Sequence, residues 1–126
     1  MSLLTVITGS AREVSAEAVA EQLQPVLMTG EPVQRCFKLV RDLIVFTDRR
    51  LLLVDKQGVT GKKIEYHTIP YKSITHFSVE TAGRFDLDAE LRIWVSGSGQ
   101  PVQKTLSKGV DVVQIQRTLA EVVTER

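Results

Sequence analysis

Seven short segments rich in branched and aromatic residues follow one another between Val33 and Ser107: VQRCFKLV, LIVFT, RLLLVD, KIEYHTI, ITHFSVET, AELRIWVS and VQKTLS. Turn signals separate them, at Arg41-Asp42, Asp48-Arg49, Gly58 and Gly61, Pro70, the TAGRFDLD stretch and GSGQP. Such short connections join antiparallel neighbours. AELRIWVS alternates cleanly, with Ala89, Leu91, Ile93 and Val95 on one face and Glu90, Arg92, Trp94 and Ser96 on the other. One face is therefore expected in a core and the other near water. The pattern predicts a mainly β domain, a small sandwich or partly open barrel of two twisted sheets.

Helical spacing flanks the strands on both sides. In VSAEAVAEQLQP, Ser15 is placed as an N-cap, and Val14 and Val19 are placed for a hydrophobic staple. Val19, Leu23, Val26 and Leu27 share a face, and Pro25 should end the regular helix. In the tail, Val112, Ile115, Leu119, Val122 and Val123 form one apolar stripe, which must be buried on the sheets or against an open end. The expected organisation is one domain over residues 1–126, with a tail and helix in 1–32, strands in 33–108 and a capping helix in 109–126.

Formal net charge is +1, so a global charge excess cannot drive binding to nucleic acid, and none is expected as a partner. The single cysteine, Cys36, cannot form an internal disulfide and reads as a buried apolar side chain. His67 and His76 sit in strand-like segments without carboxylates at ligand spacing, so no metal is expected there. MSLLTVITGS lacks a basic n-region, and no window reaches the roughly 20 apolar residues of a membrane span. The expectation is a soluble, cytoplasmic protein with at most peripheral membrane contact.

The string running from KLVRDLIVFTDRRLLLVDKQGVTGKK through IEYHTIPYKSITHFSVETAGRFDLDAELRIWVSG resembles the bacterial pleckstrin-homology-like family. The resemblance covers close to half the chain and continues more loosely into the last helix. It implies a seven-stranded barrel or sandwich with a C-terminal helix across one end, to which this chain adds an N-terminal helix. It also implies rings or larger homo-oligomers for some members. Domains of this shape serve lipid-binding, peptide-binding and structural roles, so shape alone does not assign function.

GVTGKK looks like a clipped phosphate-binding loop. Such a loop needs four residues between its glycines, then Lys and a hydroxyl residue, then a helix. Only Val59 and Thr60 separate Gly58 from Gly61, Lys63 stands where the hydroxyl belongs, and a strand-like segment follows. The glycines read as turn residues, and no cofactor is expected.

From Arg35 to Lys72 nine Lys and Arg residues face four acids, an excess of five positive charges. Lys38, Arg41, Arg49, Arg50, Lys62 and Lys63 are the candidates there for contact with an anion or a partner. Basic residues around a long first loop mark many inositol-phosphate-binding relatives; here Arg41-Asp42 leaves room only for a tight turn. Glu80, Asp86, Asp88 and Glu90 form an acidic stretch without the spacing or the glycine of a calcium loop, and they are the candidate assembly contacts. No acyl-transfer motif is present. The reading is a non-enzymatic binding or scaffold module that self-associates into a homo-oligomer and can take a protein partner; the alternative is peripheral anionic-lipid or phospholigand binding through the basic Arg35–Lys72 cluster.

Overall fold

The computed structural model describes residues 15–39, 41–59, 62–81, 88–107 and 111–124. A helix, α1 (Ala16–Gln22), opens the described chain and is followed by a 3-10 turn at Gln24–Val26. Strands β1 (Val33–Lys38), β2 (Leu43–Thr47), β3 (Arg50–Gln57) and β4 (Lys63–Pro70) come next. A 3-10 turn at Tyr71–Ser73 leads into β5 (Ile74–Thr81), β6 (Ala89–Val95), β7 (Val102–Leu106) and the last helix, α2 (Val112–Thr124).

The expected strands are present and pair antiparallel. They form a four-stranded sheet in the order β1-β2-β3-β4 and a three-stranded sheet in the order β5-β6-β7. The two sheets do not close into a barrel; the architecture is a sandwich. Between them lies a core of Phe37, Ile44, Phe46, Leu51, Leu53 and Ile69 from the first sheet and Ala89, Leu91, Ile93 and Leu106 from the second. Phe37 and Phe46 meet edge to face, their centroids 6.2 Å apart. The alternation read from AELRIWVS sets this face: Leu91 and Ile93 are fully buried, whereas Glu90 and Arg92 point away.

α2 seals this core with its stripe. Val112, Ile115 and Leu119 are buried, and Val122 and Val123 pack at the margin. Asp111 starts the helix, its carboxylate accepting from the Gln114 N–H at 3.0 Å.

The first sheet has a second apolar layer on its other face. Val33, Cys36, Leu43, Val45, Leu52 and Val54 pack there with Val19 and Leu23 of the N-terminal segment. β2 is consequently buried at all of its positions. The Ser15 hydroxyl caps α1 by accepting from the Ala18 N–H at 3.4 Å. Val14, the expected staple partner, lies outside the described residues. Pro25 falls in the 3-10 turn, where the regular helix has ended. Cys36 is buried in this apolar layer, as expected.

Candidate functional site

The basic cluster, contiguous in sequence, is split by the strand reversals. Lys38 ends β1, Arg41 lies in the β1–β2 turn, Lys62 precedes β4 and Lys63 opens it, so these four gather at one end of the first sheet. The turn is tight: the Leu39 N–H donates to the Asp42 carbonyl at 2.8 Å. Arg41 Nη2 donates to the Gly58 carbonyl at 2.6 Å and ties this turn to the β3–β4 connection. Gly58 has φ 79°, a conformation that favours glycine, whereas Gly61 lies outside the described residues. β4 follows GVTGKK where a phosphate loop requires a helix N-terminus.

Arg49 and Arg50 sit at the opposite end of the sheet, a strand length of ~16 Å away. Arg49 reaches Asp48 at 3.5 Å on the surface. The Arg50 guanidinium is committed inside the protein. Nε and Nη2 donate to both oxygens of Glu31 at 2.8 and 2.9 Å. Nη1 donates to the Thr68 hydroxyl at 2.7 Å, and Nη2 also reaches the Val26 carbonyl at 2.8 Å. A two-pronged Arg–carboxylate pair of this kind is among the strong hydrogen-bonded contacts of proteins.

Glu31 is the residue that sequence reasoning passed over. It is 6% exposed, and its side chain is enclosed. The chain turns at Met28–Glu31, with Gly30 at φ 78° and the Glu31 N–H donating to the Met28 carbonyl at 3.0 Å. The Met28 N–H donates back to the carboxylate at 2.9 Å, and the Thr47 hydroxyl donates at 2.7 Å. The Arg50 hydrogen bonds outweigh burial and hold the carboxyl down to about 2 from 4.5. Tyr71 completes the corner: its hydroxyl donates to the Thr47 carbonyl at 2.7 Å, and burial pushes that phenol well above its ordinary value.

A second ionic group bridges the two sheets. Lys104 of β7 lies 3.5 Å from Asp42 and 3.7 Å from Asp55. Burial, and then the hydrogen bond with Asp55, raise Asp42 above the usual carboxylate range; the same hydrogen bond lowers Asp55. One ammonium thus serves two carboxylates beside the basic end.

The acidic candidates occupy the second sheet. Glu80 of β5 and Glu90 of β6 are directly opposed in register and lie on the sheet's outer face. Asp88 precedes β6 and is exposed, and Asp86 lies outside the described residues. Glu80 accepts from Arg92 at 3.1 Å; Glu90 accepts from Thr105 at 2.9 Å and Gln103 at 3.3 Å. These contacts explain how two like charges can stand opposite each other. Glu80, Asp88, Glu90, Thr81, Ala89 and Thr105 line an open hollow of about 420 Å³. Among the described residues no three His, Cys, Asp or Glu side chains converge as metal ligands. His76 stacks on Trp94 with centroids 4.4 Å apart.

A sandwich of four plus three antiparallel strands closed by a C-terminal helix defines a pleckstrin-homology-like module. The chain belongs to the bacterial PH domain family, whose model matches residues 2–123. It is 57% identical over 123 residues to the uncharacterized protein YjqA of Bacillus subtilis, covering 97% of this chain and 98% of YjqA. It is 30% identical over 108 residues to the uncharacterized protein YozO of the same organism, covering 86% and 92%. Among solved structures it is similar to a pleckstrin homology domain from Shewanella amazonensis, with TM-score 0.82, 56% identity and coverage of 91% and 93%. A DUF1696 family protein with a pleckstrin-homology domain from Shewanella loihica matches with TM-score 0.77, 52% identity and coverage of 92% and 99%. No helix among the described residues is long and apolar enough to cross a membrane.

Proposed function

We propose that the protein is a non-enzymatic binding and scaffold module of the cytoplasm that assembles with copies of itself through unlike surfaces. One observation carries this reading: the acidic residues stand on the outer face of the second sheet and the basic ones at one end of the first sheet. Glu80, Asp88 and Glu90 of one copy are complementary in charge to Lys38, Arg41, Lys62 and Lys63 of another. Contacts of this head-to-tail kind close into a ring when the rotation between copies allows. Light scattering at low and high salt tests the reading. The expected result is an oligomer at low salt that weakens as salt screens the contact. Lys62→Glu with Lys63→Glu should break it, as should Glu80→Lys with Glu90→Lys, and mixing the two variants should restore association. A monomeric mass for the unaltered chain at tens of micromolar protein and every salt would remove the reading.

The gathering of Lys38, Arg41, Lys62 and Lys63 at one end favours a second reading, peripheral contact with an anionic lipid or phospholigand. The tight Leu39–Asp42 turn leaves no deep pocket between β1 and β2, so this contact is weak and salt-sensitive. Sedimentation with acidic vesicles tests it. Retention that is lost in Lys62→Ala with Lys63→Ala supports it, and equal retention by neutral vesicles sinks it.

A further inference from the structure

The outer face of the second sheet is organised in rows across its strands. The register places His76 beside Trp94, then Ser78 beside Arg92 and Gln103, then Glu80 beside Glu90 and Thr105. These residues alternate with Phe77, Val79, Leu91 and Ile93, which join the central core, so they share the opposite face. The face therefore carries rings at one end, hydrogen-bonding groups around an arginine in the middle and carboxylates at the other end. Both helices pack elsewhere, α1 on the outer layer of the first sheet and α2 on the central core. The His76 and Trp94 rings stack at an interplanar angle of 16°, and His76 is exposed, so the stack can take a further ring. At the other end the Glu80 side chain is 69% exposed even while it accepts from Arg92. Asp88 and Glu90 line the same open hollow. Three carboxylates against the one guanidinium of Arg92 leave this end negative.

We propose that this face docks an extended segment of another protein that carries an aromatic residue and, four residues away, an arginine. The pitch of the sheet sets that spacing. Four residues along a strand span ~13–14 Å, which separates the row of His76 and Trp94 from the row of Glu80 and Glu90. An extended segment lying along the strands repeats its side chains at the same pitch, so its residues i and i+4 reach both ends together. The aromatic ring extends the stack on His76. The guanidinium enters the hollow between Glu80, Asp88 and Glu90, where its planar fork can pair with a carboxylate through two hydrogen bonds. Residue i+2 faces Arg92 and is polar and uncharged. Lysine is the poorer ligand at the arginine position, because a point charge lacks the fork. This partner goes beyond the head-to-tail contact between copies. Both would use the same carboxylates, so they compete, but only the segment proposed here uses the aromatic row.

Trp94 is the single tryptophan of the chain, so its emission reports on the face directly. The probe is the peptide Gly-Tyr-Thr-Ser-Thr-Arg-Gly, titrated into the full chain with excitation beyond tyrosine absorption. A saturable change in Trp94 emission is expected. Peptides with the Tyr replaced by Ala, or the Arg by Ser, should each bind more weakly. On the protein, His76→Ala should weaken binding about fivefold. Glu80→Gln with Glu90→Gln should weaken it about tenfold. Lys62→Glu with Lys63→Glu, which removes the basic side of the head-to-tail contact, should leave the affinity for the peptide unchanged, so the two readings fail separately. No saturable change up to about 1 mM peptide overturns the proposal. Equal binding by the altered peptides, or affinity unchanged in both the His76 and the Glu80 and Glu90 variants, overturns it as well. Emission that responds to protein concentration but not to peptide also overturns it and gives the face to a second copy.

Discussion

The two sheets are built on opposite terms. The first is apolar on both faces: its inner side joins the central core, and its outer side lies under the N-terminal segment. The second is apolar on one face only, and its outer side carries Glu80, Glu90 and Arg92. The difference is visible in composition. LIVFT and RLLLV are near-continuous apolar runs, whereas AELRIWV alternates. A sheet covered on both sides has given its surface to the fold, so chemistry there is confined to its ends and edge. A sheet covered on one side keeps a whole face for partners.

The largest effect is expected where the covered sheet is joined to its cover. Arg50→Ala leaves Glu31 enclosed without a counter-ion, and removing one partner of such a pair costs about 3–5 kcal/mol. Urea unfolding measures it; a loss within experimental error would mean that the N-terminal segment is not held at this corner. Next come two matched truncations. Leu52→Ala on the outer face of the first sheet and Ile93→Ala on the inner face of the second should each cost about 2–5 kcal/mol. If Leu52→Ala is cheap, the first sheet is not a two-faced one and the comparison fails.

Acid separates the two ionic groups. The folded-state value of Glu31 lies below its unfolded value, so its contribution is full above about pH 5 and is lost as pH falls toward about 2. The displacement from 4.5 to about 2 corresponds to about 3 kcal/mol. Glu31→Gln should flatten the acid limb of the stability curve by about 2 kcal/mol between pH 6 and pH 3, the rest being lost below pH 3. Asp42 has the opposite sign: its raised folded value means that its charged form opposes folding at neutral pH, and the penalty fades as pH falls through that value. Asp42→Asn also gives up an ion pair with Lys104, so its net effect at pH 7 should stay below about 1 kcal/mol. The smallest effect belongs to Arg49→Ala, whose exposed pair with Asp48 should contribute between about 0 and 0.5 kcal/mol.

Local pattern carried the elements well. The period of AELRIWV set the inner face of β6, and the stripe from Val112 to Val123 set the buried side of α2, because each depends only on neighbours in the chain. Pro25 marked the end of α1 for the same reason. The ionic groups were not legible. Glu31 and Arg50 stand on either side of two strands, and Lys104 reaches Asp42 and Asp55 from the other sheet. No spacing rule connects residues that meet only after the sheets have formed. The basic cluster shows the converse: its residues are close in sequence, yet the turns after β1 and β2 send Arg41 and Arg49 to opposite ends of a sheet. Glu31, flanked by Gly30 and Pro32 before the first strand, left one faint signal, a carboxylate beside a turn glycine.

The pairing of Glu31 with Arg50 also constrains how this sequence can drift. Either residue replaced alone strands a charge in a dry corner, whereas replacing both by apolar residues of similar volume removes the penalty together with the attraction. Such a pair forms a valley that single substitutions do not cross easily. In an alignment of bacterial PH domains, the two positions should change hands together, Glu with Arg or apolar with apolar, and mixed pairs should be depleted. Val45 and Leu52, which lie beside them in the covered sheet, should vary freely among apolar residues without any such bookkeeping.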